Sequence, residues 1–374
     1  MDLSSELVHS LLPLFLVGSL GASALTVGLV DGIAEATALL VKTFSGALSD
    51  YIGRRKGLLL LGYGLAALSK PLFPLAHSVE TVFLARFLDR IGKGVRGAPR
   101  DALVADVAPP EIRGACFGLR QSMDTVGAFL GPLLAIGLMI WLQGNIPLVL
   151  WFAVLPAGVT VVLLLIGVKE PDRAAGQGRF RLPLHWSAIQ LFSARYWWVV
   201  LVGAVFTLAR FSEAFLVLRA QQLGLPNQWV PLVMLVMALS YTLSAYPVGR
   251  LSDRLPRSRL LLIGMVLLVV ADLILARLNS LPGLLLGVAL WGLHMGFSQG
   301  VLAALVADTA PPHAKGTAYA LFNLASGLSL LVASVIAGWL WDHQGSAMTF
   351  EVGALLAALS GLLLVSGRQR FARH

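Results

Sequence analysis

Long apolar runs, separated by short polar or glycine- and proline-bearing turns, fill almost all of the 374 residues. A helix needs about 20 largely apolar residues to cross a bilayer. That rule predicts twelve spans: 3–20, 27–48, 57–76, 81–105, 115–141, 147–168, 195–219, 228–249, 260–278, 282–307, 316–340 and 348–367. Turn signals part most of them, at Gly21, Gly53, Pro109-Pro110, Gly144-Asn145, Gly224-Leu225-Pro226, Pro311-Pro312 and Gly345. The longest polar interruption, residues 169–194, separates two blocks of six spans, 1–168 and 195–374. The expected fold class is an all-α membrane protein, with twelve transmembrane helices in two pseudo-symmetric six-helix bundles.

The first span is the anomalous one. It carries Asp2, Ser4, Ser5, Glu6 and His9, and begins at Met1. Twenty helical residues rise about 30 Å, barely enough to cross, which admits a start upstream of Met1. The opening residues lack the basic stretch of a cleaved signal peptide, so this helix is expected to remain.

The two blocks repeat each other. Gly46-Ala47-Leu48-Ser49-Asp50, followed by Gly53-Arg54-Arg55, returns as Gly249-Arg250-Leu251-Ser252-Asp253, followed by Arg254. Ala102-Leu103-Val104-Ala105-Asp106 returns as Ala304-Leu305-Val306-Ala307-Asp308. The spacing is 203 residues for the first pair, from Gly46 to Gly249, and 202 for the second, from Asp106 to Asp308. Two parallel repeats in a hydrophobic chain are the expected design of a carrier.

Composition agrees. Charged residues make up 13% and hydrophobic ones 57%, with a mean hydropathy of +0.81; an ordinary soluble domain carries about 25% charged residues. The net charge of +9 would suggest nucleic acid in a soluble protein, but here its location decides otherwise. Arg54, Arg55, Lys56, Arg113, Arg250, Arg254, Arg257 and Arg259 crowd the loops of one side, while the other side holds at most Arg219 and Arg277. By the positive-inside rule both termini and the linker are cytoplasmic, in the inner (plasma) membrane. No basic patch is left over for nucleic acid. Cys116 is the single cysteine, which excludes an internal disulfide and a thiolate metal cage.

Asp50 and Asp253 close helices where the dipole disfavours an acid, so each needs a basic partner. Asp106 and Asp308 end spans on the same face and are expected to accept Arg54 and Arg254 or Arg257, as latches that break when the carrier opens. The run Gly46-x-Leu48-Ser49-Asp50-x-x-Gly53-Arg54-Arg55 resembles the signature of the major facilitator superfamily, and its weaker copy starts at Gly249. Arg86 with Gly92, Gly94 and Pro99 resembles a second motif of that family, with Asp89 and Arg90 where Gln and Gly are usual. Gly127-x-x-x-Gly131-Pro132 resembles its antiporter motif but runs on through Leu133-Leu134-Ala135. The resemblance covers nearly the whole chain and lies nearest the drug:proton antiporter group. It implies gating by Gly46, Asp50, Gly53, Arg54, Arg55, Asp106, Gly249, Asp253, Arg254 and Asp308, and helix packing at Gly127, Gly131 and Pro132.

Ionisable groups inside spans mark pathways unless they only pair with one another. At 100° per residue, Asp31, Glu35 and Lys42 fall within about 40° on the second span. Arg86, Arg90, Lys93, Gly97 and Arg100 form a stripe about 80° wide on the fourth. Arg120 and Asp124 share a face of the fifth with Gly127 and Gly131, and Arg210 and Glu213 make an i, i+3 pair on the seventh. The expected solute and proton pathway is therefore Asp31, Glu35, Arg86, Asp89, Arg90, Lys93, Arg120, Asp124, Arg210 and Glu213, with Arg90 more open to solute than Arg86. Asp272 and His294 complete the sparse polar content of the second half.

No zinc-protease, Walker or nucleophile-elbow motif occurs, so neither an enzyme nor a cofactor or metal site is expected. The expected activity is secondary active transport of a small organic solute, driven by protons as export, by a monomer. An uptake carrier for an anionic solute or metal chelate such as a siderophore is the alternative, and a membrane-embedded enzyme or sensor the remote one.

Overall fold

The computed structural model describes residues 1–52, 54–109, 112–168, 190, 192–252, 254–311 and 314–371, the side chains of Asp50, Arg113 and residues 368–371 excepted. Gly53, Asp253 and nearly all of the linker lie outside the described residues, and so does the side chain of Asp50. Two compact units emerge. One comprises Met1–Ala22 with Ile33–Pro183, the other Ser23–Gly32 with Leu184–His374.

In the first unit α1 (Asp2–Leu14) runs on into a π-helical turn, Phe15–Ser19. It is followed by α2 (Ala24–Ile52), whose first turns belong to the other unit, and α3 (Lys56–Ser69). Then come α4 (Val79–Val107), α5 (Arg113–Trp141), and the pair α6 (Ile146–Trp151) and α7 (Val154–Gly167). The second unit holds α8 (Ala194–Ala209), α9 (Ala214–Gln222), α10 (Leu232–Ser252), α11 (Arg257–Arg277), α12 (Leu281–Thr309), α13 (Lys315–Gln344) and α14 (Ser346–Phe371). Every described element is helical. Among the described residues nine stretches are long and apolar enough to cross a membrane, α6 with α7 and α8 with α9 each counting as one.

Local chemistry sets the helix ends. Ser78, Asn145, Ser193 and Ser280 each accept a backbone N–H three residues on, the side-chain cap that satisfies a first-turn donor. Within the second unit Asp342 of α13 does the same for α2, accepting Ala24 N–H at 3.0 Å and Leu25 N–H at 2.9 Å. Gly144 and Gly345 take φ of +80° and +87° to end α5 and α13, a conformation costly for any side chain.

Small residues set how closely the helices approach. Gly92 of α4 meets the backbone of α3, where an added Cβ would fall 2.5 Å from the Gly62 carbonyl oxygen. Gly94, on another face of α4, meets α2, where a Cβ would fall 2.7 Å from Val41 Cβ. Ser45 of α2 seals that contact with a 2.9 Å hydrogen bond to the Gly94 carbonyl. Along α5, a Cβ on Gly127 would lie 3.0 Å from Asp2 Cβ, and one on Gly131 2.6 Å from Glu6 Cβ, so α1 lies directly on this face.

The seventh predicted span is not one helix. It breaks between Ala209 and Ala214, with Arg210 at φ −102° and ψ 66°. Arg210 and Glu213 therefore occupy the interruption, not successive turns of a helix. The Ser212 hydroxyl caps the second piece by accepting Ala214 N–H at 3.1 Å, and also donates to Asp31.

Gly92→Ala should lower thermal stability in detergent by about 1–3 kcal/mol, the range for overpacking a close contact. Gly64→Ala, with nothing within 4 Å of its added carbon, should leave the melting temperature unchanged. Equal stability of the two variants would refute the α3–α4 backbone contact.

Candidate functional site

The fourth helix concentrates the cations, and the first unit surrounds them with acids from α1, α2 and α5. Arg86 is 1% exposed and Arg90 2%, so both arginines are buried. One carboxylate serves both: Glu35 Oε1 of α2 lies 3.3 Å from Arg86 Nη2 and 3.0 Å from Arg90 Nη1. The same Arg86 nitrogen is 2.8 Å from Nδ1 of His9, on α1. Glu35 keeps 27% of its side chain exposed and is the most accessible member of the trio it forms with the two arginines.

Asp89 has a partner of its own, from outside α4. Lys70, just past the end of α3, is fully buried and reaches Asp89 Oδ1 at 2.8 Å and Ser5 Oγ at 3.0 Å. Arg90 Nε stands 3.6 Å from the other Asp89 oxygen. Asp89 is thus a buried counter-ion. Lys70 lies inside the span predicted over 57–76, yet the sequence reading did not single it out.

One to three turns further along α4 a second network forms. Arg96 reaches Asp2 at 3.5 Å and lies over the Tyr63 ring at 4.7 Å, with its Nη1 buried and unbonded. Arg100 grips Asp124 with two 3.1 Å bonds, the fork geometry of guanidinium on carboxylate. Arg120 adds a bond of 2.8 Å to Asp124. The i, i+4 pair on α5 is therefore tied to α4. Asp101, 3.6 Å from Arg100 and 3.5 Å from Arg120, closes the network. Lys93 is exposed, and the stem of Lys42 lies over Gly97 at 3.4 Å from where a Cβ would be.

Asp31 does not join Glu35. It falls in the second unit and accepts the Ser212 hydroxyl. The shared stripe on α2 thus feeds two different polar environments, because four residues of helix separate the acids by about 6 Å. In the second unit Arg210 stacks on Phe206 at 5.7 Å, and Glu213 lies in the same helix break, half-buried.

At the helix ends Asp106 takes the neighbour of the arginine expected, and Asp308 takes one of the two expected. Asp106 pairs with Arg55, at 2.6 Å, while Arg54 is exposed. Asp308 pairs with Arg257, while Arg254 is exposed in a turn. Gly46 passes α4 at Ala98, 3.3 Å from where its Cβ would be, and Gly249 has open space around it. Pro132 lies inside α5. Among the described residues no group of three or more His, Cys, Asp or Glu side chains is placed to hold a metal ion.

Lys70→Met should destabilise the first unit by about 3–5 kcal/mol, because it strands the Asp89 carboxylate in a buried site. The double variant Lys70→Met with Asp89→Leu should recover most of that loss. Thermal unfolding of the three proteins in detergent measures both; no recovery in the double variant would mean that Lys70 acts by something other than this pair.

The Major Facilitator Superfamily profile matches residues 1–240 and 214–373. An uncharacterised MFS-type transporter of Methanocaldococcus jannaschii is 32% identical over 372 residues, covering 97% of this chain and 91% of its own. The multidrug resistance protein MdtH of Photorhabdus laumondii is 27% identical, covering 97% and 89%. Among solved structures, the nucleoside transporter NupG superimposes with a TM-score of 0.80 over 98% of this chain and 97% of its own, at 14% identity, a likeness of fold. Members of this family are transporters, not enzymes. With matches that span both units and helices fit to cross a bilayer many times, the chain belongs to the major facilitator superfamily, as a multi-pass membrane carrier of a small solute.

Proposed function

We propose that the protein exports a small organic solute by alternating access, coupled to protons, with twelve spans in two pseudo-symmetric bundles of six. The observation that carries the reading is Glu35, a partly exposed carboxylate held between two buried arginines of α4. A proton and a cationic solute are alternatives at Glu35, because each would neutralise the carboxylate that holds the two guanidiniums. Protonation frees Arg86 and Arg90 and changes the net charge of the trio by one. The likeness to a multidrug resistance protein supports export over uptake.

Two buried arginines already engaged by one acid and a histidine make the trio a stable resting arrangement. Asp89, spoken for by Lys70, adds no free capacity. The pathway we assign in the first unit is therefore Glu35 with Arg86 and Arg90, then exposed Lys93, then the Arg100–Asp124–Arg120 network on the same helix side. In the second unit Asp31, Arg210 and Glu213 contribute through the break between α8 and α9, since interrupted helices are where carriers place solute and ion sites. Uptake of an anionic solute is the second reading, favoured by the buried, unbonded Nη1 of Arg96.

We assign gating to the pairs Arg55–Asp106 and Arg257–Asp308, with Asp50, Gly53 and Asp253 completing the two motifs. The basic loops set the orientation, both termini being cytoplasmic in the inner membrane of a monomeric carrier.

In proteoliposomes with an imposed pH gradient and a panel of labelled cationic, neutral and anionic drugs, Glu35→Gln should abolish accumulation of the transported compound. Exchange of that compound down its own gradient should survive. Gradient-driven accumulation by the variant at the wild-type level would remove Glu35 from coupling.

Asp106→Asn should lower turnover several-fold and also cost some stability, since both side chains of the pair are only 9% exposed. Exchanging the charges, Arg55→Asp with Asp106→Arg, should restore part of the rate. Wild-type turnover in the single variant would rule out the latch.

A further inference from the structure

The second unit buries a carboxyl that the coupling assigned to Glu35 does not use. Asp272 of α11 is 0% exposed. Its Oδ1 accepts a hydrogen bond from Trp291 Nε1 of α12 at 3.2 Å, and its Oδ2 is buried with no hydrogen-bond partner. The Oδ2 side is closed by α14, where a Cβ on Gly353 would lie only 2.7 Å from that oxygen and 2.9 Å from the Phe211 ring. Neither water nor a side chain of any size has room between Gly353 and the acid.

The same indole that serves Asp272 meets His294, one turn along α12, edge to face at 4.7 Å. His294 is also 0% exposed, and both of its ring nitrogens are buried without a partner. Its other neighbour is Phe206, 6.2 Å away, the ring on which Arg210 stacks. Three partnerless polar atoms in one apolar neighbourhood are a cost that packing does not recover, and they call for a reason.

The charged and titratable groups on the elements around Asp272 do not neutralise it. Glu351 of α14 is engaged by Arg277 at 2.9 Å. Arg219 of α9 spends its nitrogens on the Leu275 carbonyl, Gln222, Ser346 and Asn279. Arg210 lies over Phe206, Glu213 shares its helix break, Tyr241 is on α10, and His294 is separated from the acid by the indole. Among the described residues no ion pair reaches Asp272. A carboxylate with one donor and apolar walls is costly, whereas a carboxylic acid in the same place carries no buried charge.

We propose that Asp272 is a proton-binding site of the second unit, occupied in this conformation, with His294 as the second basic position of the site. The acid takes one proton from water and returns one to water, so the unit changes charge by one with each cycle. Its part in transport rests on the proton-coupled reading above; its occupancy by a proton does not.

Infrared difference spectra of the full-length protein in lipid nanodiscs, without solute, test the occupancy directly. The wild type at neutral pH should show the carbonyl stretch of a protonated carboxyl that is missing from Asp272→Asn. Its amplitude should fall as pH is raised, and His294→Gln should shift that titration. Asp272→Glu, which keeps the acid, should retain a displaced band and serves if the asparagine variant does not fold. Glu35→Gln should leave the band in place, which separates failure at Glu35 from failure here. Absence of the band from the wild type, its persistence in Asp272→Asn, or an amplitude indifferent to pH would each overturn the proposal.

Discussion

A cation in a low-dielectric interior must have its counter-charge within a few ångströms, and the first unit is organised by that requirement. α4 brings Arg86, Arg90, Arg96 and Arg100 along one side of a single helix. Each is then met from another element: Glu35 from α2, Asp2 from α1, Asp124 from α5. Lys70 inverts the pattern, a cation brought in at the end of α3 to meet an acid of α4. The glycines of α4 follow from the same need. Salt bridges with N–O separations near 3 Å require backbones close enough for them, and Gly92 and Gly94 allow α3 and α2 to come that near.

The second unit solves a different problem with different means. Among the described residues it has the ion pairs Arg257–Asp308 and Arg277–Glu351, and several of its other polar side chains meet neutral groups. Arg219 is satisfied by a carbonyl, two amide oxygens and a hydroxyl; Asp272 by an indole. Aromatic contacts among Phe206, Phe211, Trp291 and Phe350 fill the space that ion pairs occupy in the first unit. The sequence repeat at the helix ends therefore joins halves that share a frame and differ in chemistry.

The helices, their turns and the stripe on α4 were readable from the residues, because hydrophobic period and span length are local properties. Partner choice was not. Arg55 rather than Arg54 meets Asp106, and the residue pattern alone left Arg254 and Arg257 as equal candidates for Asp308. The same limit hid Lys70, whose partner Asp89 is 19 residues away in sequence and one helix away in space. The break before α9 left a fainter trace. No proline or glycine marks Arg210–Glu213, and tertiary contacts such as Ser212 with Asp31 and Ser334 stabilise it instead. Asp31 and Glu35 share a face by periodicity, yet a helix long enough to serve two packing environments divides them.

The crowding of α4 also bears on how the protein is made. Each Arg, Lys or Asp at the centre of an isolated membrane helix costs about 2.5–3.5 kcal/mol on insertion, and α4 carries several. It is absent from the nine stretches apolar enough to cross a membrane by themselves. Partition of α4 into lipid as a lone helix is therefore unfavourable, and its entry depends on α1, α2 and α3 already being there to supply Asp2, Glu35 and Lys70. α5, synthesised last of these, brings Asp124 and completes the neutralisation. Biogenesis of the first unit is thus cooperative, a helix group assembled at the translocon rather than a series of independent insertions.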